Sequence, residues 1–84
     1  MNAQQIQSDT LTILLSNRIH QGLDDKARAI KISKTCKFIR DKTKDYLLNN
    51  ACRKVISAVQ GGNYKQAINA IDLTERRYYE AYGN

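Results

Sequence analysis

The stretch DDKARAIKISKTCKFIRDKTKDYLLNN, Asp24 to Asn50, constrains the fold of this chain more than any other. Ala29, Ile32, Cys36, Ile39, Thr43 and Tyr46 succeed one another at alternating gaps of three and four, which on an α-helix draws one narrow seam. That seam needs a partner. Lys26, Lys34, Lys37, Arg40 and Lys44 fall on the back of the same helix, with Arg28, Lys31 and Lys42 nearer the seam's edges. A single element thus presents a core face and a cationic face. Asp24 is placed to cap it, and Asp24 with Asp25 sets negative charge at the positive end of the backbone dipole. The spacing predicts a helix over 24–49, which either closes at Asn49 and Asn50 or runs through them with a kink.

The remaining segments read as helices too, since the chain has no proline and only four glycines. Over 3–21, Leu11, Leu15 and Ile19 recur at successive turns with Leu14 beside them, while Ile6 and Ile13 point nearly the opposite way. Two apolar faces call for two neighbours. The first is assigned to the domain's own core, and Ile6 and Ile13 are assigned to a contact with a second copy, making the chain a homo-oligomer, with a frayed N-terminus carrying Ile6 as the alternative. Gly22 is read as the left-handed residue past the end of this helix. Cys52, Val55, Ile56 and Val59 predict a helix over 51–60, broken by Gly61 and Gly62. Asn63 with Gln66 resembles a capping box and opens a last helix over 63–82. Tyr64, Ala67, Ile68, Ile71, Tyr78 and Tyr82 share one side of it. Asp72, Arg76 and Glu80 on the other side are spaced for exposed ion pairs. Glu75 interrupts the apolar side, where a lone carboxylate would be costly to bury, so a basic partner is expected for it.

The passage Gly61 to Ile71, with Gly62, Tyr64, Ala67 and Ile68, resembles the turn between the two helices of a tetratricopeptide repeat. The likeness covers the turn and the start of one helix. Ala51, Lys54, Val55, Ala58 and Thr74 depart from that family's pattern, and there is no second copy. What the resemblance implies is an αα-hairpin from Asn50 to Tyr82, not a repeat array. The expected fold class is therefore all-α: a single domain over 1–84, a three- or four-helix bundle with a long central basic amphipathic helix and a C-terminal αα-hairpin.

Charge and chemistry narrow the function. Fourteen Lys and Arg against eight Asp and Glu give a net charge of +6, and eight of the fourteen lie between Lys26 and Lys44. Such a cluster favours an anionic partner, nucleic acid or nucleotide among them, or serves only to keep a small protein in solution. Lys34, Lys37, Arg40 and Lys44 are the candidate anion-binding residues, with Phe38 among them either stacking a base or packing on another helix, the commoner role of a lone Phe. Arg76, Arg77, Tyr78, Tyr79 and Tyr82 form the candidate protein-binding cluster, because Arg and Tyr recur at binding hot spots. Tyr79 is the expected exposed anchor.

No catalytic, cofactor-binding or metal-binding residues are assigned. His20 is the sole histidine and lies at a helix end, where it satisfies a last-turn carbonyl; Gly61 and Gly62 lack the pattern of a phosphate loop. Cys36 and Cys52, with fifteen residues between them, lack the close pairing of a zinc site and read as small core residues. Two cysteines and no charged-then-apolar leader over Met1 to Thr10 point to the cytoplasm, and no apolar run reaches the ~18 residues of a membrane span. The reading that results is a non-enzymatic binding protein, a regulator or inhibitor of the small kind encoded by phages and mobile elements. The alternatives are a sequence-tolerant nucleic-acid or nucleotide binder and a structural homo-oligomer.

Overall fold

The computed structural model describes residues 3–83, which form four α-helices and no strand: α1 (Ala3–Ile19), α2 (Asp25–Lys42), α3 (Tyr46–Gln60) and α4 (Tyr64–Tyr82). The chain is all-α. Helix α2 packs against each of the other three, α3 packs along α4, and α1 reaches both α2 and α4. Ile32, Cys36 and Ile39 of α2 are fully buried and meet Cys52, Val55 and Ile56 of α3, Ala67, Ile68 and Ile71 of α4, and Ile13 of α1 in one core. The seam from Ala29 to Ile39 therefore does what its spacing requires.

Helix α2 starts where its sequence says, with the Asp24 Oδ1 accepting from the backbone N–H of Ala27 at 2.8 Å. It ends earlier than the predicted 24–49. Thr43 takes extended dihedrals, Asp45 N–H donates to Thr43 Oγ1 at 3.2 Å, and Asp45 Oδ2 accepts from Leu48 N–H at 2.8 Å to cap a new helix. The two side-chain bonds replace helix continuation with a turn and a cap. Asn49 and Asn50 then lie inside α3, which runs on without the predicted break before 51. The restart shifts the helical phase: Tyr46, expected in the seam, is 78% exposed, and Leu48 is buried instead.

Gly61 and Gly62 do end α3, and Gly62 has the positive φ (76°) that disfavours any side chain. Asn63 makes no side-chain capping bond, so the predicted box does not form. Gly22 has no positive φ, and α1 closes instead through turn bonds such as Leu23 N–H to the His20 carbonyl at 3.1 Å. His20 Nδ1 lies 2.7 Å from the Ser16 carbonyl oxygen, the helix-end role its position suggested.

Helix α1 departs from the sequence expectation at most of its apolar positions, although Leu14, expected beside the inward face, is buried (3% exposed). Ile13 is 2% exposed and belongs to the chain's own core, so it has no surface left for a second copy; Ile6 is half-buried. Leu11, Leu15 and Ile19, expected inside, are 40%, 49% and 75% exposed. The reason is that the inward line of α1 is largely polar and each polar group finds a partner. Asp9 Oδ1 meets Lys42 Nζ at 3.1 Å, Asn17 Oδ1 accepts from Arg28 Nε and Nη2 at 2.9 and 2.7 Å, and Thr35 Oγ1 donates to Ser16 Oγ at 3.1 Å. Buried polar groups that are all paired lose little on leaving water, and these ties fix which side of α1 meets α2.

Lys42→Met tests that account. It leaves the Asp9 carboxylate, 2% exposed, with only the Gln5 amide at 2.9 Å. Since Lys42 itself is 43% exposed, solvent already screens the pair; the expected loss is about 1 to 3 kcal/mol in urea unfolding, and Lys42→Met together with Asp9→Leu should recover most of it. A loss under about 0.5 kcal/mol for the single variant would mean water reaches Asp9 after all.

Candidate protein-binding furrow

A groove runs between α3 and α4, bordered at one end by Ile6 and Thr10 of α1. At its lower end a cavity of about 240 Å³ is lined by Ile6, Leu47, Ala51, Arg77, Tyr78 and Tyr82 among others. Leu47 is 74% exposed there, and Tyr46 beside it 78%. A smaller hollow of about 60 Å³ shares Leu47, Ala51, Thr74 and Arg77 with it and adds Lys54, Ala70 and Leu73. Lys54 and Ala70 recur in a third, of about 590 Å³, together with Arg53, Ser57, Asn63 and Gln66. The three hollows are thus one furrow along the two helices, apolar at the Leu47 and Tyr82 end, polar and cationic at the Arg53 and Lys54 end.

Local sequence builds it. Asp45 caps α3 so that Tyr46 and Leu47 sit in the first turn with their side chains outward, while Leu48 turns in. Ala51 and Ala70 are small, so the two helices leave a depression between them instead of a ridge. On α4, Tyr78 is held by ring contacts with Tyr79 (centroids 5.6 Å, near perpendicular) and Tyr82 (5.0 Å), which stiffens the lower wall.

The structure divides the predicted Arg and Tyr cluster. Arg77, Tyr78 and Tyr82 line the furrow. Tyr79 does not: its hydroxyl accepts from Arg18 Nη2 at 3.0 Å, tying α4 to α1, and it is 36% exposed. Arg76 is exposed and outside the lining residues. The expected pairs of Arg76 with Asp72 and Glu80 are absent among the described residues, and Asp72 instead faces Arg28 at 3.7 Å. Glu75 is half-buried and takes part in none of the ion pairs among those residues. Leu47, which sequence reasoning missed, could have been found from Asp45, a capping residue type three positions before Leu48.

The cationic face of α2 is a second candidate. Lys34 and Lys37 are exposed, and Phe38, expected to pack on another helix, is 63% exposed instead. Lys42 Nζ stands 5.5 Å from its ring centre while also pairing with Asp9. Arg40 is turned to Asp41 (3.1 Å), and Lys44 lies in the segment between α2 and α3. Lys34, Lys37 and Phe38 therefore stay together, without Arg40.

The two thiols lie together in the core. Hydrogen bonding to the Cys52 side chain first, and burial second, push the Cys36 thiol far above the ordinary thiol range, so it stays protonated. Among the described residues no group of His, Cys, Asp and Glu is arranged to hold a metal ion, and no helix is long and apolar enough to cross a membrane. Set against known protein families, curated proteins and solved structures, the chain matches none.

Proposed function

We propose that this chain is a small non-enzymatic helical module that acts by holding a protein partner in the furrow, as a regulator or inhibitor. The observation that carries the reading is the exposure of Leu47 beside Arg77, Tyr78 and Tyr82 at an open apolar hollow. An aliphatic side chain left in water next to an aromatic wall and an arginine has the composition of an interface centre, and large apolar groups in contact with one another outside a core mark interaction sites. The test is Leu47→Asp, which should abolish capture of a partner from the native host at unchanged helicity; retention of capture would remove the furrow from consideration.

Phe38 favours a second reading. An aromatic ring 63% exposed beside Lys34 and Lys37 can stack a base while the ammonium groups meet phosphate. Binding of labelled single-stranded DNA and RNA at low salt should then weaken about tenfold on Phe38→Ala, in keeping with ~1 to 3 kcal/mol per stacked base. If neither nucleic acid binds, or Phe38→Ala binds as well as the parent, the α2 face serves only to keep the chain in solution.

A further inference from the structure

We infer that the furrow takes an acidic amphipathic helix of a partner protein, its apolar anchors gathered in one half and its carboxylates in the other. The inference rests on the furrow being a protein-binding site and adds what kind of segment fills it. Length comes first. The furrow follows α3 from Leu47 to Ala58 and α4 from Gln66 to Tyr82, roughly 20 Å at the usual helical rise, which accommodates about 13 to 15 residues of a third helix. An extended strand would need an open sheet edge to satisfy its backbone, and the four helices offer none; a helix satisfies its own backbone and needs only a groove for one face.

Charge decides the chemistry. Arg53, Lys54 and Arg77 line the furrow, and none of the three pairs with a carboxylate among the described residues; Arg53 Nε donates only to Asn49 Oδ1 at 2.7 Å. The sole carboxylate in the lining, Asp45, already accepts from Leu48 N–H as the cap of α3. Three unpaired cations against one occupied carboxylate repel a basic helix and attract an acidic one. The uneven distribution adds a signature. Leu47, Ala51, Tyr78 and Tyr82 lie at one end with Arg77 as the single cation among them, while Arg53 and Lys54 lie together toward the other beside Ser57 and Gln66. A bound helix therefore places Leu, Ile or Phe over the first end and Asp or Glu over the second.

The test is selection of a displayed library of 16-residue helical peptides against the full chain, with Leu, Ala, Glu and Lys allowed at every position and the enriched peptides then measured by fluorescence anisotropy. Enriched sequences should carry more Glu than Lys, with Leu concentrated in one half and Glu in the other. Their affinity should fall at least tenfold on Leu47→Asp, and at least tenfold on Arg53→Glu with Lys54→Glu. Both are exposed sites whose variants are checked for helicity by circular dichroism. Enriched peptides that depend on Leu47 but show no acidic excess, or that ignore the charge reversal, would overturn the acidic class and leave the furrow as a binding site. Absence of any peptide sensitive to Leu47→Asp would overturn both. Sedimentation showing a dimer that Leu47→Asp dissolves would make the occupant a second copy of this chain and also overturn the inference.

Discussion

Ile32→Ala is expected to destabilise the fold by about 3 to 4 kcal/mol. Ile32 has no exposed surface and sits midway along α2, the helix that touches all three others, so the space it vacates is walled by side chains that cannot all follow. Alanine keeps the helix-forming tendency, which isolates burial from propensity. A chain this short holds a total of the order of 5 to 15 kcal/mol, so the variant should melt about 12 to 30 °C lower, and a marginal parent would not fold at all. Leu15→Ala is the matched control, because Leu15 is 49% exposed on the outward side of α1 and should change stability by no more than about 0.5 kcal/mol. Thermal unfolding of both variants reads the difference. Equal losses would mean that Leu15 is also covered, by a second copy in solution.

The α2 seam was legible in the sequence because Ala29, Ile32, Cys36 and Ile39 keep a regular spacing, and Ser33, the polar side chain buried with them, bonds within its own helix to the Ile30 carbonyl. The two-glycine break after α3 was legible for a similar reason, since Gly62 adopts a backbone angle that other residues avoid. Helix α1 misled because counting apolar residues selects Leu11, Leu15 and Ile19 along with Leu14, of which only Leu14 is buried, whereas its inward side is set by Asp9, Ser16 and Asn17 reaching across to Lys42, Thr35 and Arg28. Pairing over a distance of many residues leaves no periodicity to detect. The assignment of Ile13 to a contact with a second copy failed on that point, and so did the mirrored assignment of Leu15 to the core.

The end of α2 misled for a local reason. Lys, Thr and Asp at 42–45 keep the apolar register nearly intact, so a seam drawn through Thr43 and Tyr46 looks continuous. Yet Thr43 and Asp45 each bond to a nearby backbone N–H, and two such bonds are enough to stop one helix and start the next. The consequence is functional as well as structural. Restarting the helix at Tyr46 turns Leu47 outward and brings it to the wall made by Arg77, Tyr78 and Tyr82, the part of the Arg and Tyr cluster that remains available. Tyr79, chosen from sequence as the exposed anchor, is already engaged by Arg18.

Leu47→Asp is expected to abolish partner capture while leaving the fold intact, and the separation of those two outcomes is what makes it informative. Leu47 is 74% exposed in the free chain, so its truncation gives up little buried area, and aspartate in the first turn of α3 lies near the positive end of the helix dipole. Stability should therefore change by no more than about 0.5 kcal/mol. In a complex the same position is covered. Removing an aliphatic anchor and forcing a carboxylate into the covered site costs about 3 kcal/mol or more, a loss of over 100-fold in affinity. Tyr79→Phe supplies the contrast: it loses the Arg18 bond that ties α4 to α1 but keeps the ring against Tyr78, so it should weaken the fold by roughly 1 kcal/mol and leave capture nearly unchanged. Capture from the native host, quantified for parent, Leu47→Asp and Tyr79→Phe alongside their unfolding curves, distinguishes the furrow from the α1 side of the molecule. A partner lost with Tyr79→Phe but kept with Leu47→Asp would move the binding surface to the exposed line of Leu11, Leu15 and Ile19.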